Sequence, residues 1–366
     1  PSGAIGWIVS EEAFMQPLRK VISKLKLRAS YGQVGNANLG GRRFAYLSTI
    51  TDDYETLNMY KWGLDSSYGL TGMAEGEFAV QDLTWEIVNK MNLGVELGFL
   101  NGMIDLQLDY FDERRKDIFM PRESVPMTAG FMKQPWKNFG KVTNQGVEVS
   151  LNVNKQFGKD LFVSLMGTFT YAHNEITEKD EPSAVVGTNR AETGHPVGQL
   201  TGYIAEGLFT ADDFEDVSTG KLKEGIPTQS FVGKLRPGDI RYRDVNGDGK
   251  VDVFDKSPIG GTKDPEIVYG FGLNMKYKNL DFGALFQGIG RSWNILGSSI
   301  IPGANRGVTG NMFTNANDRW TVDNPSQDVF YPRLDDGINS NNNQPSTWWL
   351  RNMSFLRLKN IELGYS

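Results

Sequence analysis

The residues with the most specific chemical spacing form one run, Asp244-Val245-Asn246-Gly247-Asp248-Gly249-Lys250-Val251-Asp252-Val253-Phe254-Asp255. Counted from Asp244, oxygen-bearing side chains fall at positions 1, 3, 5, 9 and 12, with glycine at 6. That is the spacing of a calcium loop, in which alternate residues of a tight turn converge on a hard cation that takes roughly six to eight oxygens. Gly249 supplies the turn that a side chain would resist. The expected ligands are Asp244, Asn246, Asp248, the Lys250 carbonyl, Asp252 and Asp255, holding a structural calcium ion at ~2.3–2.6 Å. Position 12 is Asp where such loops prefer Glu, which weakens bidentate contact. The plainer reading is a surface turn rich in Asp, Asn and Gly.

Other chemistry is sparse. There are two histidines and no cysteine, which excludes a three-His metal site, a thiol zinc site and a disulfide framework. No nucleophile elbow or phosphate-cradling glycine loop occurs. Asp52/Asp53 and Asp335/Asp336 imitate a paired-carboxylate site but lie in polar loops. Trp348-Trp349 could stack on a sugar, although loop packing explains it as well. A catalytic role is not expected. The net charge of −6 comes without a long basic run, which argues against nucleic acid.

The elements that must position the acidic run are strands. Leu25–Tyr31 alternates apolar and polar residues with period two. Leu93, Val95, Leu97 and Phe99 alternate with Gly94, Glu96 and Gly98; Asn101-Gly102 signals a two-residue hairpin turn; Ile104, Leu106, Leu108 and Tyr110 then alternate with Asp105, Gln107 and Asp109. Val147–Asn154 and Leu161–Tyr171 form a second hairpin across Gly158-Lys159-Asp160. Tyr269–Tyr277 and Leu280–Phe286 form a third across Lys278-Asn279. Leu356 and Leu358 begin a last strand whose phase shifts at Asn360, which predicts a bulge. Residues 10–23 read as a short helical connector, and Phe44–Ile50 as a strand continuation.

About nine strands result. They end near Val9 or begin near Lys24, Leu83, Met103, Lys141, Leu161, Glu266, Leu280 and Met353. Links between them alternate short and long, the long ones covering about 36–80, 116–140, 175–264 and 288–352. Soluble sandwiches turn tightly at both ends, whereas outer-membrane barrels have short periplasmic turns and long extracellular loops. The fold class expected is therefore all-β, a transmembrane antiparallel β-barrel. Leu93, Val95, Ile104, Leu106, Val149, Leu151, Phe271 and Leu273 should face lipid, and Asp105, Asp109, Glu148, Asn152 and Asn154 a wet lumen. Aromatic residues at strand ends (Trp85, Trp136, Tyr110, Tyr171, Tyr277, Tyr365) suit an interfacial girdle. Nine strands do not close a large plugged barrel of ~22; strands are expected on both sides of residues 1–366.

The residues also carry a family resemblance. Leu25-Lys26-Leu27-Arg28-Ala29-Ser30-Tyr31-Gly32 with Gln33, Gly35 and Asn36 resembles a segment of SusC/RagA-type TonB-dependent outer-membrane transporters. So do Leu83-Thr84-Trp85-Glu86 with Asn89–Gly94, Asp109-Tyr110-Phe111 with Lys116-Asp117-Ile118, and Asn138–Glu148. Arg236-Pro237-Gly238-Asp239-Ile240 leading into the acidic run, and Phe355–Ile361 at the end, are similar to the same family. The matches run in order along nearly the whole chain. The resemblance implies the C-terminal, incomplete portion of a multi-pass barrel in the outer membrane of a Gram-negative bacterium, with the plug and last strands lying elsewhere. It also implies a SusD-like surface lipoprotein lid, energy from the TonB complex through the plug, and an oligosaccharide or peptide as cargo. The alternative is a calcium-stabilised extracellular carbohydrate-binding or adhesion β module. The strand surface separates the two, since only a barrel wall turns its apolar face to lipid.

Overall fold

Among the described residues, period-two alternation produces nine long antiparallel strands that pair in chain order. In the computed structural model they are β1 (Ser2–Ile8), β2 (Ile22–Asn36), β3 (Glu86–Phe99), β4 (Ile104–Pro121), β5 (Trp136–Phe157), β6 (Leu161–Glu178), β7 (Ile267–Tyr277), β8 (Leu280–Gly290) and β9 (Phe355–Tyr365). The structure describes all residues except 41, 52–59, 65–67, 71–72, 132, 298–312 and 336. Asp52, Asp53 and Asp336 lie outside the described residues.

The register turns the alternation into two continuous faces. Leu27, Val95, Leu108, Val149 and Phe169 follow one another across β2 to β6 as direct partners. Phe271, Phe286 and Leu358 continue that face across β7 to β9. Leu93, Leu108, Leu151, Phe271 and Leu363 are exposed although large and apolar. On the opposite face Arg28, Gly94, Asp109, Glu148 and Thr170 run side by side. A sheet with one apolar solvent-side face and one charged face has no conventional core; its backbone hydrogen bonds and a lipid surround must hold it.

Turns at one end are short. Gly158-Lys159-Asp160 joins β5 to β6 with Gly158 at φ +64°, and Lys278-Asn279 joins β7 to β8 with Lys278 at φ +52°. The β3–β4 turn is longer than the two residues expected. It takes four, residues 100–103, because Phe99 pairs with Ile104, and Leu100, Asn101 and Gly102 all adopt positive φ. The bulge expected near Asn360 is present: Asn360 partners Leu285 while Leu358 partners Phe286, leaving Lys359 unpaired.

Several boundaries differ from the sequence reading. The 116–140 connection shrinks to residues 122–135, because β4 and β5 go on pairing to Pro121 and Trp136 and satisfy each other's backbone groups. The connector before β2 consists of 3-10 turns, Val9–Glu11 and Ala13–Leu18; Pro17 removes a donor that a continuing helix would use. Phe44–Leu47 closes a turn, and the strand pairing begins at Ile50–Thr51, with Ala74–Glu75. The long links after β6 and β8 fold together. Among the described residues their buried apolar side chains gather in two clusters, one with Tyr203, Leu208, Ile240, Tyr242, Tyr331 and Trp349 and a smaller one of Phe209, Phe214 and Leu235.

Candidate functional site

The two long links are stitched by hydrogen bonds of large sequence separation. Tyr203 N–H donates to the Pro345 carbonyl at 2.8 Å, and Thr347 N–H to the Tyr203 carbonyl at 2.9 Å. At the centre lies Asp239, fully buried. Its Oδ1 accepts from Arg333 Nη2, Asn339 Nδ2 and Asn342 Nδ2, each at 3.0 Å, and its Oδ2 accepts from Arg236 N–H at 2.8 Å. Burial pushes this carboxyl upward, while Arg333 and the amide donors pull against that rise. A buried carboxylate persists only when so fully paired. Gly238, at φ +87°, admits the turn: a Cβ there would lie 2.3 Å from Trp320 Cε3. Trp349 Nε1–H donates to the Asn342 carbonyl at 2.8 Å and Trp348 Nε1–H to the Phe330 carbonyl at 3.1 Å. Trp348 is half-buried and Trp349 buried, and the pair packs in the loop core.

The acidic run lies on the edge of this unit. Asp244 Oδ1 accepts from Gly247 N–H and Oδ2 from Gly249 N–H, both at 2.7 Å. Asn246 Oδ1 accepts from Asp248 N–H and Asp248 Oδ1 from Lys250 N–H, both at 2.9 Å. Gly247 and Gly249 sit at φ +77° and +84°. Asp255 is buried and ties the two ends of the run, accepting from Val245 N–H at 2.8 Å and Asp252 N–H at 2.8 Å. Lys250 Nζ meets Asp252 Oδ2 at 2.7 Å, and that ammonium holds the Asp252 carboxyl below its ordinary value. Gly249 and Val251 carbonyls accept from Thr228 and Ser230 N–H, which turns the Lys250 carbonyl to the other side of the strand. Asp244, Asn246 and Asp248 thus share one tight turn, whereas Asp252 and Asp255 face amides and lysine. Among the described residues no three Asp, Glu or His side chains converge as a ligand set. A cation would have to draw Asp252 away from Lys250.

The charged face of the wall carries its own constellation. Arg28 Nη2 donates to both Asp109 oxygens, at 2.6 and 2.7 Å, and Gln107 Nε2 adds a bond at 2.9 Å. Lys24 and Lys26 reach Glu96 at 2.7 and 3.2 Å. Glycine at 94 is required here, because a Cβ would come within 2.4 Å of Arg28 Nε and 2.6 Å of Asp109 Oδ1.

Beyond this charged band the same face holds a cavity of ≈ 530 Å³. Val88, Ile118, Met120, Val142, Ile176 and Val197 form its apolar lining. Sequence reasoning missed these residues, although a signal existed: Val88, Val142 and Ile176 are apolar at positions in phase with Glu96, Glu148 and Thr170. Ile118 and Met120 reach the face through a second bulge. Arg115 partners Val142 while Ile118 partners Gly140, with Asp117 at φ +59° between them.

Among the described residues, nine chain-order antiparallel strands with one largely apolar face and one that carries the ion pairs, joined by short turns at one end and a folded loop unit at the other, define the wall of an outer-membrane-type β-barrel. The sequence model of the family described as "TonB dependent receptor-like, beta-barrel" matches residues 1–365, and the chain belongs to this family. It is similar to TonB-dependent receptor P26 of Formosa agariphila, 29% identical over 377 residues. It is also similar to TonB-dependent receptor SusC of Bacteroides thetaiotaomicron, 28% identical over 384 residues. Both alignments cover 100% of this chain and 35% and 34% of those proteins. Among solved structures, the RagAB peptide transporter matches with a TM-score of 0.68 and 25% identity, over 100% of this chain and 36% of the other. The chain therefore spans about a third of the length of these relatives.

Proposed function

We propose that this chain forms part of the barrel wall and the extracellular loops of a TonB-dependent outer-membrane importer of SusC/RagA type. The remaining strands, the plug and the TonB-coupling segment belong to sequence beyond it. The observation that carries the reading is the register: apolar residues such as Leu93, Leu108, Leu151 and Phe271 are exposed on one face, while Arg28, Glu96 and Asp109 pair on the other. A soluble carbohydrate-binding or adhesion module would leave that apolar face in water. The loop unit, held by a buried network, suits a docking platform for a SusD-like lipoprotein lid over an oligosaccharide or peptide cargo. The intact protein should partition into outer membranes, require detergent and co-purify with a surface lipoprotein. A monodisperse protein without detergent would overturn the barrel reading.

We further propose that the acidic run is a structural clip that takes one calcium ion through Asp244, Asn246, Asp248, Asp252, Asp255 and the Lys250 carbonyl. The spacing, the paired glycines at positive φ and the direction of the Lys250 carbonyl support it. Calorimetry with calcium should show one site that Asp248→Ala abolishes; an unchanged titration would defeat the assignment.

A further inference from the structure

The cavity on the charged face gathers several aliphatic side chains at one place. Beside it that face carries the Arg28–Asp109 and Lys24–Glu96 pairs, and apolar residues such as Phe111, Met166 and Val268 stand on it more singly. The wall has no need of aliphatic side chains there, since its strands are held by backbone pairing. Yet Val88 and Ile176 are buried on it, and two more aliphatic or thioether groups are swung in by the bulge at Asp117.

We propose that this cavity is a cargo subsite for the aliphatic side chain of a peptide; this rests on the importer reading above. Three observations select the ligand class. First, among the described residues no aromatic ring lines the cavity, so a pyranose finds no stacking face and would bury its hydroxyls against methyl groups. Second, the charges at the rim are already paired. Arg115 meets Glu86 at 2.8 Å, Lys90 meets Glu113 at 2.7 Å, Lys179 meets Glu192 at 2.8 Å, and Lys141 pairs with Glu178. They call for no net charge on the guest. Third, the side-chain amides of Asn144 and Asn174 also line the cavity. Asn144 offers the donor and acceptor that a peptide unit takes, and Asn174, whose Oδ1 accepts from Val197 N–H at 2.7 Å, adds its Nδ2 donor. The volume, ≈ 530 Å³, lies within the ~300–1,000 Å³ range of small-ligand pockets. Lys179, Glu192 and Val197 come from the segment that follows β6, so the subsite joins the wall to the folded loop unit.

The test uses the intact transporter in outer membranes, with two peptides of equal length and charge and one neutral oligosaccharide. One peptide carries Leu and Ile at its centre, the other Ser at the same places. The wild-type protein should bind the aliphatic peptide roughly tenfold or more tightly than the serine peptide, as burial of an aliphatic side chain demands. Ile176→Asn should cut that preference to about twofold or less. Val142→Thr, which keeps shape, should lower it part-way while the barrel retains its heat-modifiable migration. Preference unchanged in both variants would overturn the subsite. So would wild-type binding of the oligosaccharide alone, which leaves the importer reading standing. A plug segment filling the cavity would show as Ile176→Asn loosening the plug with no change in peptide preference, and this too would overturn it. A protein that takes up no cargo in a TonB-dependent manner would instead remove the importer reading.

Discussion

The wall and the loop unit solve the stability problem in opposite ways. In the wall, residues such as Leu108, Leu151 and Phe271 stay exposed, and order comes from continuous strand pairing. In the loop unit, pairing is limited to strands of two to six residues, such as Ala205–Leu208 with Ile240–Tyr242. Order there comes from a buried aromatic cluster and a satisfied polar network around Asp239. The lesson is that solvent decides where a core is needed. A strand facing hydrocarbon needs none, whereas a loop standing in water must build its own.

The comparison can be broken most forcefully at Trp349. Replacing this buried residue by Ala should cost about 3–5 kcal/mol in the loop unit. Hydrogen exchange should rise across residues 199–262 and 313–352 and stay slow in β3–β6. Exchange that rises equally in the wall would erase the distinction. The next largest effect is expected from Leu108→Arg on the lipid face, which should cost ~2–4 kcal/mol if it lies near the bilayer midplane. Gln107→Arg, one residue away on the charged face, should cost less than about 1 kcal/mol. Urea titration of the protein folded into lipid vesicles compares the two. Gly94→Ala follows. Its Cβ would displace the Arg28–Asp109 pair, at about 1–3 kcal/mol, and the same titration would show it. The smallest effect is acid loosening at the rim. Burial raises the Asp180 carboxyl, but hydrogen bonds from Arg122 and Ser124 outweigh it and leave the group below its ordinary 3.8. A depressed folded-state value means that this tie stabilises above about pH 4 and is lost as pH falls through it. Exchange at residues 122–125, corrected for its intrinsic pH dependence, should quicken in acid, and Asp180→Asn should remove that response.

Much of the wall was legible because period two, tight-turn residues and the shift at Asn360 are local signals that all point to one answer. The folded loops were not. Tyr203, Leu208, Ile240 and Trp349 fall in short apolar groups with no sustained period, and part of their packing comes from the other link, so no window of sequence contains the pattern. The bulge at Asp117 was equally hidden, since an aspartate at positive φ has no fixed signature. The spacing of the acidic run was plain, and so was its tight turn. What spacing could not convey is that Asp252 and Asp255 find amides and a lysine close at hand.

The stitching of the two long links has a consequence for the order of assembly. The wall strands joined by short turns, β3–β4, β5–β6 and β7–β8, are neighbours in sequence, so each of those hairpins can form soon after its residues emerge. Asp239 must meet Asn342, 103 residues further on, and Ala205 must meet Thr347, 142 residues further on. Loops closed over such spans are slow and come late. The links before β7 and after β8 flank that hairpin in sequence, so the loop unit closes around it as a clasp. Its completion marks the moment at which the outer end of β6 through β9 is locked in place.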